Sequence, residues 1–575
     1  MSPTSTPSST RPPTPSSPPA PAPREIFNFR IYLLTLLCCL GSWMFGYNNG
    51  VIGGVLVLPA FHTDFKLPAT GSSAYDRVTG NIVSMVQIGG LVGSMATFPL
   101  MKRRGRRICL GVGAGVYAVG AALQTFSYGH LGMMYAGRLI LGLGTGCITV
   151  VVPLYIAELA PPSIRGSLVG LYEINNQLSS LTAFWCNYIV KLHISDTSSA
   201  QWRIPLGVQL IPSALLLLAS LFLIPESPRF LLKCGNAEKA RAVLAYVRHL
   251  PAGHEYIESE MREIERAVGR ESKSAGDCDA EKAEKWYQFK GMNLSMAREL
   301  WWKGNRERVV IGVCLMFGQN LTGTMALNFY LPTIFRSIGL RGTNEILLAS
   351  GFFSVVKCVF TLTSLAIFID RLGRRLLLIV ASVGSAFALW YIGAYVMIAK
   401  VDLLSQVEGI STQGWVAIVM VYVYAAFYSI AWNGVVWVYC AEIFPTRIKE
   451  LAVCLTTAAQ WMSQFLVARA SPSMLSSLKG GFFFFFAACI TLMGIGVYFF
   501  VPETKGRTLE KMDEIFGTPY KSHAGLEGGV AGEDGEAGTG VVTPLGEEEE
   551  EELEIGERSM GVVCLTISRR GEKGV

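Results

Sequence analysis

Charge is what this chain of 575 residues has little of: Asp, Glu, Lys and Arg together make up 16% of it. A soluble enzyme of this length needs more than that to cover its surface, so a water-soluble globular fold is excluded. Also missing are a nucleophile–base pair, a metal-ligand spacing among the 13 cysteines, and a cleavable signal-peptide pattern. No enzyme activity, cofactor or metal site is therefore expected. The net charge of +6 is small and divided between basic loops and an acidic tail, which argues for neither nucleic acid nor an acidic substrate. Most cysteines fall in apolar stretches and none clearly in an external loop, so they read as small core residues with no disulfide.

In place of charge there are long apolar runs. A membrane helix needs roughly 20 residues, and twelve stretches qualify: 31–58, 81–101, 108–126, 131–157, 168–190, 204–224, 309–335, 346–369, 376–399, 415–441, 451–470 and 481–501. The fold class is thus an all-α membrane protein of twelve transmembrane helices, bounded by lipid, in two halves of six.

The halves repeat each other. Arg103-Arg104-Gly105-Arg106-Arg107 is answered by Asp370-Arg371-Leu372-Gly373-Arg374-Arg375. Pro153 to Glu158 with Arg165 is answered by Trp437 to Glu442 with Lys449, and Pro225-Glu226-Ser227 by Pro502-Glu503-Thr504. Internal repeats in a strongly apolar chain are the mark of secondary transporters. The expected divisions are a tail over 1–28, a first half over 29–224, a linker over 225–307, a second half over 308–502 and a second tail over 503–575.

Basic residues fall on one side: 102–107, Arg165, the 225–307 segment, 371–375, Arg447 and Lys449. The positive-inside rule makes that side, with both termini, cytoplasmic. Met1 to Pro23 is rich in Ser, Pro and Thr, and the tail beyond Ser522 in Gly and Glu, with the run Glu547 to Glu552; both read as disordered. Between the halves, 237–270 reads as short amphipathic helices bracing them and 271–284 as a loose connector. The glycosylation patterns at Asn293 and Asn320 lie on the cytoplasmic side and within a span, where no sugar is added.

Gly137-Arg138, Pro153 to Glu158, Arg165-Gly166, Pro225 to Arg229, Asp370 to Arg375, Glu442 to Pro445 and Pro502 to Gly506 occur in one order. With these motifs the chain, over about residues 29–516, resembles the sugar porter family of the major facilitator superfamily, its fungal members most of all. The resemblance implies alternating access in the plasma membrane. It also implies that Glu158, Arg165, Glu226, Arg229, Asp370, Arg374, Glu442, Lys449 and Glu503 pair at helix ends as a cytoplasmic latch. Lys102 stands where the family has an acid, which implies a weaker or rewired latch in the first half.

Polar residues deep in apolar spans carry the candidate substrate site. Glu173, Asn176 and Gln177 share one helix face, which must avoid lipid. Gln319, Asn320 and Asn328 lie in span seven, Lys357 in span eight, Trp437 in span ten and Trp461 in span eleven. By resemblance Glu173 replaces a sugar-binding Gln, Trp437 matches a sugar-stacking Trp, and Lys357 resembles the residue of fungal quinate-type permeases. Helix–helix hydrogen bonding is the alternative reading of the span-seven amides, with substrate contact the leading one. The pattern Phe45-Gly46-Tyr47-Asn48 has Asn where proton-coupled relatives carry Asp. Asn cannot titrate, which implies uniport, unless Glu173 carries the proton; Glu173, Arg138 and Asn48 are the coupling candidates.

Glu173 and Lys357 are expected to adjoin as an ion pair. Two buried cations, Lys357 and Arg138, against one carboxylate would be balanced by an anionic cargo. The leading expectation is transport of a hexose or pentose, by uniport or proton symport. The alternatives are a proton-coupled quinate or sugar-acid permease, in which Lys357 and Arg138 read the carboxylate, and a transporter-like sugar sensor.

Overall fold

A computed structural model describes residues 23–505, apart from 24–25, 162–163, 274–299, 302–303, 341, 400–410 and 446–447, and residue 516. Residues 1–22, 274–284 of the connector, the second tail beyond 505 apart from 516, Asn293, Arg447 and the side chains of Arg165 and Asp370 lie outside the described residues.

The first half runs through α1 (Phe29–Val55), α2 (Pro59–Asp64), α3 (Ser73–Thr125), α4 (Leu131–Leu159), α5 (Arg165–His193), α6 (Ala200–Val208) and α7 (Leu210–Phe222). The linker adds α8 (Pro228–Lys233), α9 (Ala237–Arg248) and α10 (Glu255–Lys273). The second half follows as α11 (Asn305–Leu321), α12 (Thr324–Ile338), α13 (Thr343–Thr363), α14 (Ile369–Leu372), α15 (Arg374–Ala399), α16 (Thr412–Ile430), α17 (Val435–Ile443), α18 (Lys449–Leu478) and α19 (Gly480–Phe500). A π-helical turn at Ser364–Phe368 joins α13 to α14.

Among the described residues, ten helical segments are long and apolar enough to cross a membrane. The 53-residue α3 contains two expected spans, and the 29-residue α5, long enough to cross but interrupted by Glu173 and its amides, supplies the twelfth. Leu218, Phe222, Val383, Ile398 and Phe499 stand exposed on the bundle's outside, as apolar side chains do when lipid is the solvent.

The helices α3 and α15 turn at the paired glycines. Gly105 has φ +83° and Gly373 φ +85°, a region that costs a side chain strain and glycine nothing. A Cβ at either would also press on a carboxylate, that of Glu226 or Glu503. Each repeat therefore folds its basic motif around one half-buried acid.

Two expected continuous spans are broken. Span seven stops at Leu321 and restarts at Thr324, and span ten stops at Ile430 and restarts at Val435. Breaks at depth free backbone carbonyls that lipid cannot satisfy, so protein must. Gln319 Nε2 donates to the Trp432 and Asn433 carbonyls at 2.6 and 3.2 Å, and the Tyr424 hydroxyl donates to the Thr322 carbonyl at 3.1 Å.

The linker helices pack on Ala240, Leu244, Ile257 and Met261. Arg248 ties them to the first half, donating to the Leu159 carbonyl at 2.7 Å and pairing with Glu260 at 2.6 Å. Toward the second half, Lys233 Nζ reaches Glu450 at 3.6 Å.

Candidate functional site

A cavity lies between the halves, lined by residues of α1, α5, α11, α12, α13, α16, α17 and α18 and of the break in span ten. Its volume is about 30 Å³, room for a water but not for a six-membered ring. Each end carries a bond between the halves. At the basic end Arg106 meets Glu450 across the halves at 2.6 Å, and at the other Ser476 Oγ donates to Asp76 Oδ2 at 2.7 Å. The halves must part before cargo can enter.

Glu173, Asn176 and Gln177 line the cavity together, as their spacing on α5 requires. Glu173 accepts from Gln177 Nε2 at 2.8 Å and from Asn176 Nδ2 at 3.3 Å. A third donor comes from the second half: Asn433 Nδ2, in the break between α16 and α17, lies 2.8 Å from Glu173 Oε1. Gln319, Asn328, Lys357 and Trp437 also line the cavity. Gln460 joins them, donating to Gln319 Oε1 at 3.1 Å.

The expected ion pair between Glu173 and Lys357 is not formed. Lys357 Nζ, on a side chain 4% exposed overall, donates instead to Asn328 Oδ1 at 3.2 Å. The physical reason is that Glu173 is already surrounded by amide donors. Lys357 makes no ion pair among the described residues.

Four expected site residues stand away from the cavity wall. Asn320 donates to Ser463 Oγ at 2.6 Å and to the Gln460 carbonyl at 3.2 Å, which holds α11 to α18. Trp461 packs edge-on against Phe45 with ring centroids 5.6 Å apart. Arg138 and Asn48 bond each other, Nη1 to Oδ1, at 2.6 Å. The cavity touches Asn49 instead.

At the basic face the repeats build matching clamps. In the first, Arg106 pairs with Glu158 at 2.8 Å, Ser227 Oγ donates to Glu158, and Glu226 Oε1 accepts from the Arg106 amide at 2.8 Å. In the second, Arg374 pairs with Glu442 at 3.0 Å, Thr504 Oγ1 donates to Glu442 at 2.8 Å, and Glu503 accepts from the Arg374 and Arg375 amides at 2.9 Å. Burial pushes the Glu226 carboxyl above its ordinary range despite those amides. Burial also raises Glu503, but the amides of Arg374, Lys505, Arg375 and Thr504 outweigh it and hold the group below that range.

The first clamp crosses between the halves, because Arg106 also takes Glu450. Glu450 stands eight residues after Glu442, and the matching position eight after Glu158 is Gly166. Lys102, in the place of the family's acid, lies over the Phe98 ring at 4.5 Å, and Lys102 and Arg229 add positive charge around Glu450. Lys449 opens α18 beside it.

Sequence reasoning passed over Glu450, Asn433 and the hydroxyls of Ser227 and Thr504. Signals existed for the first two: an acid where the repeat has glycine, and an Asn-Gly pair inside an apolar span.

The profile of the sugar (and other) transporter family matches residues 34–516. A "probable quinate permease" of Aspergillus clavatus is 39% identical over 500 residues, covering 87% of this chain and 90% of that one. The quinate permease of Emericella nidulans is 38% identical over 508 residues, covering 88% and 92%. Among solved structures, the proton:xylose symporter XylE bound to 6-bromo-6-deoxy-D-glucose superposes with a TM-score of 0.69 at 26% identity, covering 84% of this chain and 99% of that one. The inward-open xylose transporter XylE from E. coli gives 0.65 at 25% identity, covering 84% and 99%.

Proposed function

This chain belongs to the sugar transporter family and is a membrane transporter rather than an enzyme, and we propose that its cargo is a small polyhydroxylated carboxylate of the quinate type. The observation that carries this reading is Lys357: a buried cation on the cavity wall that makes no ion pair among the described residues. Glu173 in the same wall attracts Lys357 only at longer range, and a cargo carboxylate would supply the direct ion pair that this buried cation lacks. The names of the quinate permeases support the same chemistry. Amides of Gln177, Gln319 and Asn328 both donate and accept, as ring hydroxyls require, and Trp437 offers a face to C–H surface.

Glu173 is the group that binds and releases a proton, since Asn48 cannot titrate; protonated, it would lose charge and loosen its hold on Asn433 of the other half. That ties proton uptake to parting of the halves. The basic face is cytoplasmic and the membrane is the plasma membrane. The test is uptake of radiolabelled quinate in transporter-null yeast, with hexoses, pentoses and sugar acids as competitors. Uptake displaced by hexose or pentose and indifferent to quinate would defeat the reading.

A neutral monosaccharide is the second reading. The amide and aromatic lining favours it, and the same competition panel decides.

A further inference from the structure

Arg138 stands on α4 with its side chain fully buried. Its Nη1 donates to Asn48 Oδ1 at 2.6 Å and its Nε to the Ile82 carbonyl at 3.0 Å, while Nη2 has no acceptor. The bond at Oδ1 fixes the Asn48 amide, because the flipped amide would set N–H against N–H. Its Nδ2 is therefore a donor aimed elsewhere, and it too is buried without an acceptor.

Two orphaned donors thus sit on side chains that already share a hydrogen bond, around a full positive charge. No carboxylate among the described residues lies in ion-pair reach of Arg138. The nearby phenols do not compensate it: Tyr117 donates to the Met44 carbonyl and Tyr330 to the Ala468 carbonyl. A buried guanidinium without a counter-charge is costly, and buried donors without acceptors add to the cost. Both deficits have one remedy, a species that brings negative charge and accepts from two directions.

We propose that Arg138 and Asn48 form a binding site for a small monovalent inorganic anion of chloride size, held by Nη2 and Nδ2. It is not the cargo site, since neither residue lines the cavity. A polyatomic anion brings more oxygens and more bulk than two donors ask for, whereas a single spherical acceptor matches them. A carboxylate at position 48 would neutralise Arg138 from within the chain. Asn leaves that charge to be supplied from solution.

The test uses the full-length protein, purified and titrated with radiolabelled chloride in methanesulfonate buffer, with thermal midpoints measured in parallel. The wild type should bind chloride saturably, one ion per chain, and its midpoint should climb with chloride to a plateau. Asn48→Asp, close in volume, should abolish saturable binding and the midpoint response, while its chloride-free midpoint stays at or above the wild type's. Arg138→Gln should abolish binding as well. A wild type indifferent to chloride would overturn the proposal, as would an Asn48→Asp protein that still binds it. Competitive displacement of chloride by quinate would also overturn it, by assigning these donors to the cargo.

Discussion

Asn433 reaches from the break in span ten to the carboxylate of Glu173 in the opposite half, Nδ2 to Oε1 at 2.8 Å, and this bond crosses the cavity where the halves must part. Both residues are under 10% exposed. A hydrogen bond to a charged group contributes about 1.5–3 kcal/mol, enough to bias the occluded form. Asn433→Ala should therefore favour open forms, seen as faster equilibrative exchange with weaker ligand binding. Exchange and binding both equal to wild type would remove Asn433 from the gate.

Glu173→Gln separates coupling from transport. The amide can still hydrogen-bond but cannot take up a proton, so accumulation against a gradient should be lost while exchange persists. Wild-type uptake indifferent to external pH and to uncouplers would leave uniport.

Lys357→Met removes the cavity cation while roughly keeping its length. The KM for quinate should rise by about 10- to 100-fold, the span of one charge-assisted hydrogen bond, and a neutral sugar should be affected far less. Equal loss for both cargoes would mean that Lys357 only supports Asn328. With no direct ion pair between Lys357 and Glu173, a double-mutant cycle should show coupling that is small without cargo and larger with it.

The inter-half bond at the basic face rests on Glu450. Glu450→Gln should expose that face and raise thiol labelling of Cys454, which lies one turn along α18 and is 1% exposed. Gly166→Glu should act oppositely by giving the second clamp an acid of its own; a Cβ at Gly166 meets no atom within 4 Å, so the site has room. Unchanged labelling in both variants would deny the bond a gating role.

The two clamp acids should titrate apart. Glu226 is raised by burial, so the native protein takes up this proton above the ordinary glutamate range, about 4.3, and stability linked to it grows as pH falls through that raised value. Glu503 is lowered, so its contribution is present above the ordinary value and lost as pH falls through the lower native one. Carboxyl infrared difference spectra, assigned with Glu226→Gln and Glu503→Gln, should show the Glu226 band changing at the higher pH. The reverse order would contradict the burial argument.

Periodicity and repetition made the helices legible in the sequence, because lipid forces most spans to declare themselves as apolar runs, α5 with its polar face being the exception. The glycine turns were legible for the same reason, since each motif occurs twice. The breaks in spans seven and ten were not read, because single glycines at Gly323 and Gly434 are common inside apolar spans and mark a break only once the backbone is seen. Residue type located Glu173, Gln319, Asn328 and Lys357 in the cavity wall, but not which of them bond: whether Lys357 meets Glu173 or Asn328 turns on side-chain reach across three helices. Arg138 was grouped with the cavity by depth alone, and its bond to Asn48 shows that equal depth is not a shared space.

The lone acid at Glu450 bears on flux. A carrier whose empty form prefers one orientation is rectified: half-saturation for entry differs from half-saturation for exit, although the final distribution of solute is set only by its gradient and any coupled ion. With the basic face held shut by the Arg106–Glu450 bond, and that face cytoplasmic as proposed, unloaded carriers would collect facing outward, ready for dilute solute. Efflux would then be slow unless solute waiting outside draws the carrier back, so trans-acceleration should be stronger in one direction than in the other.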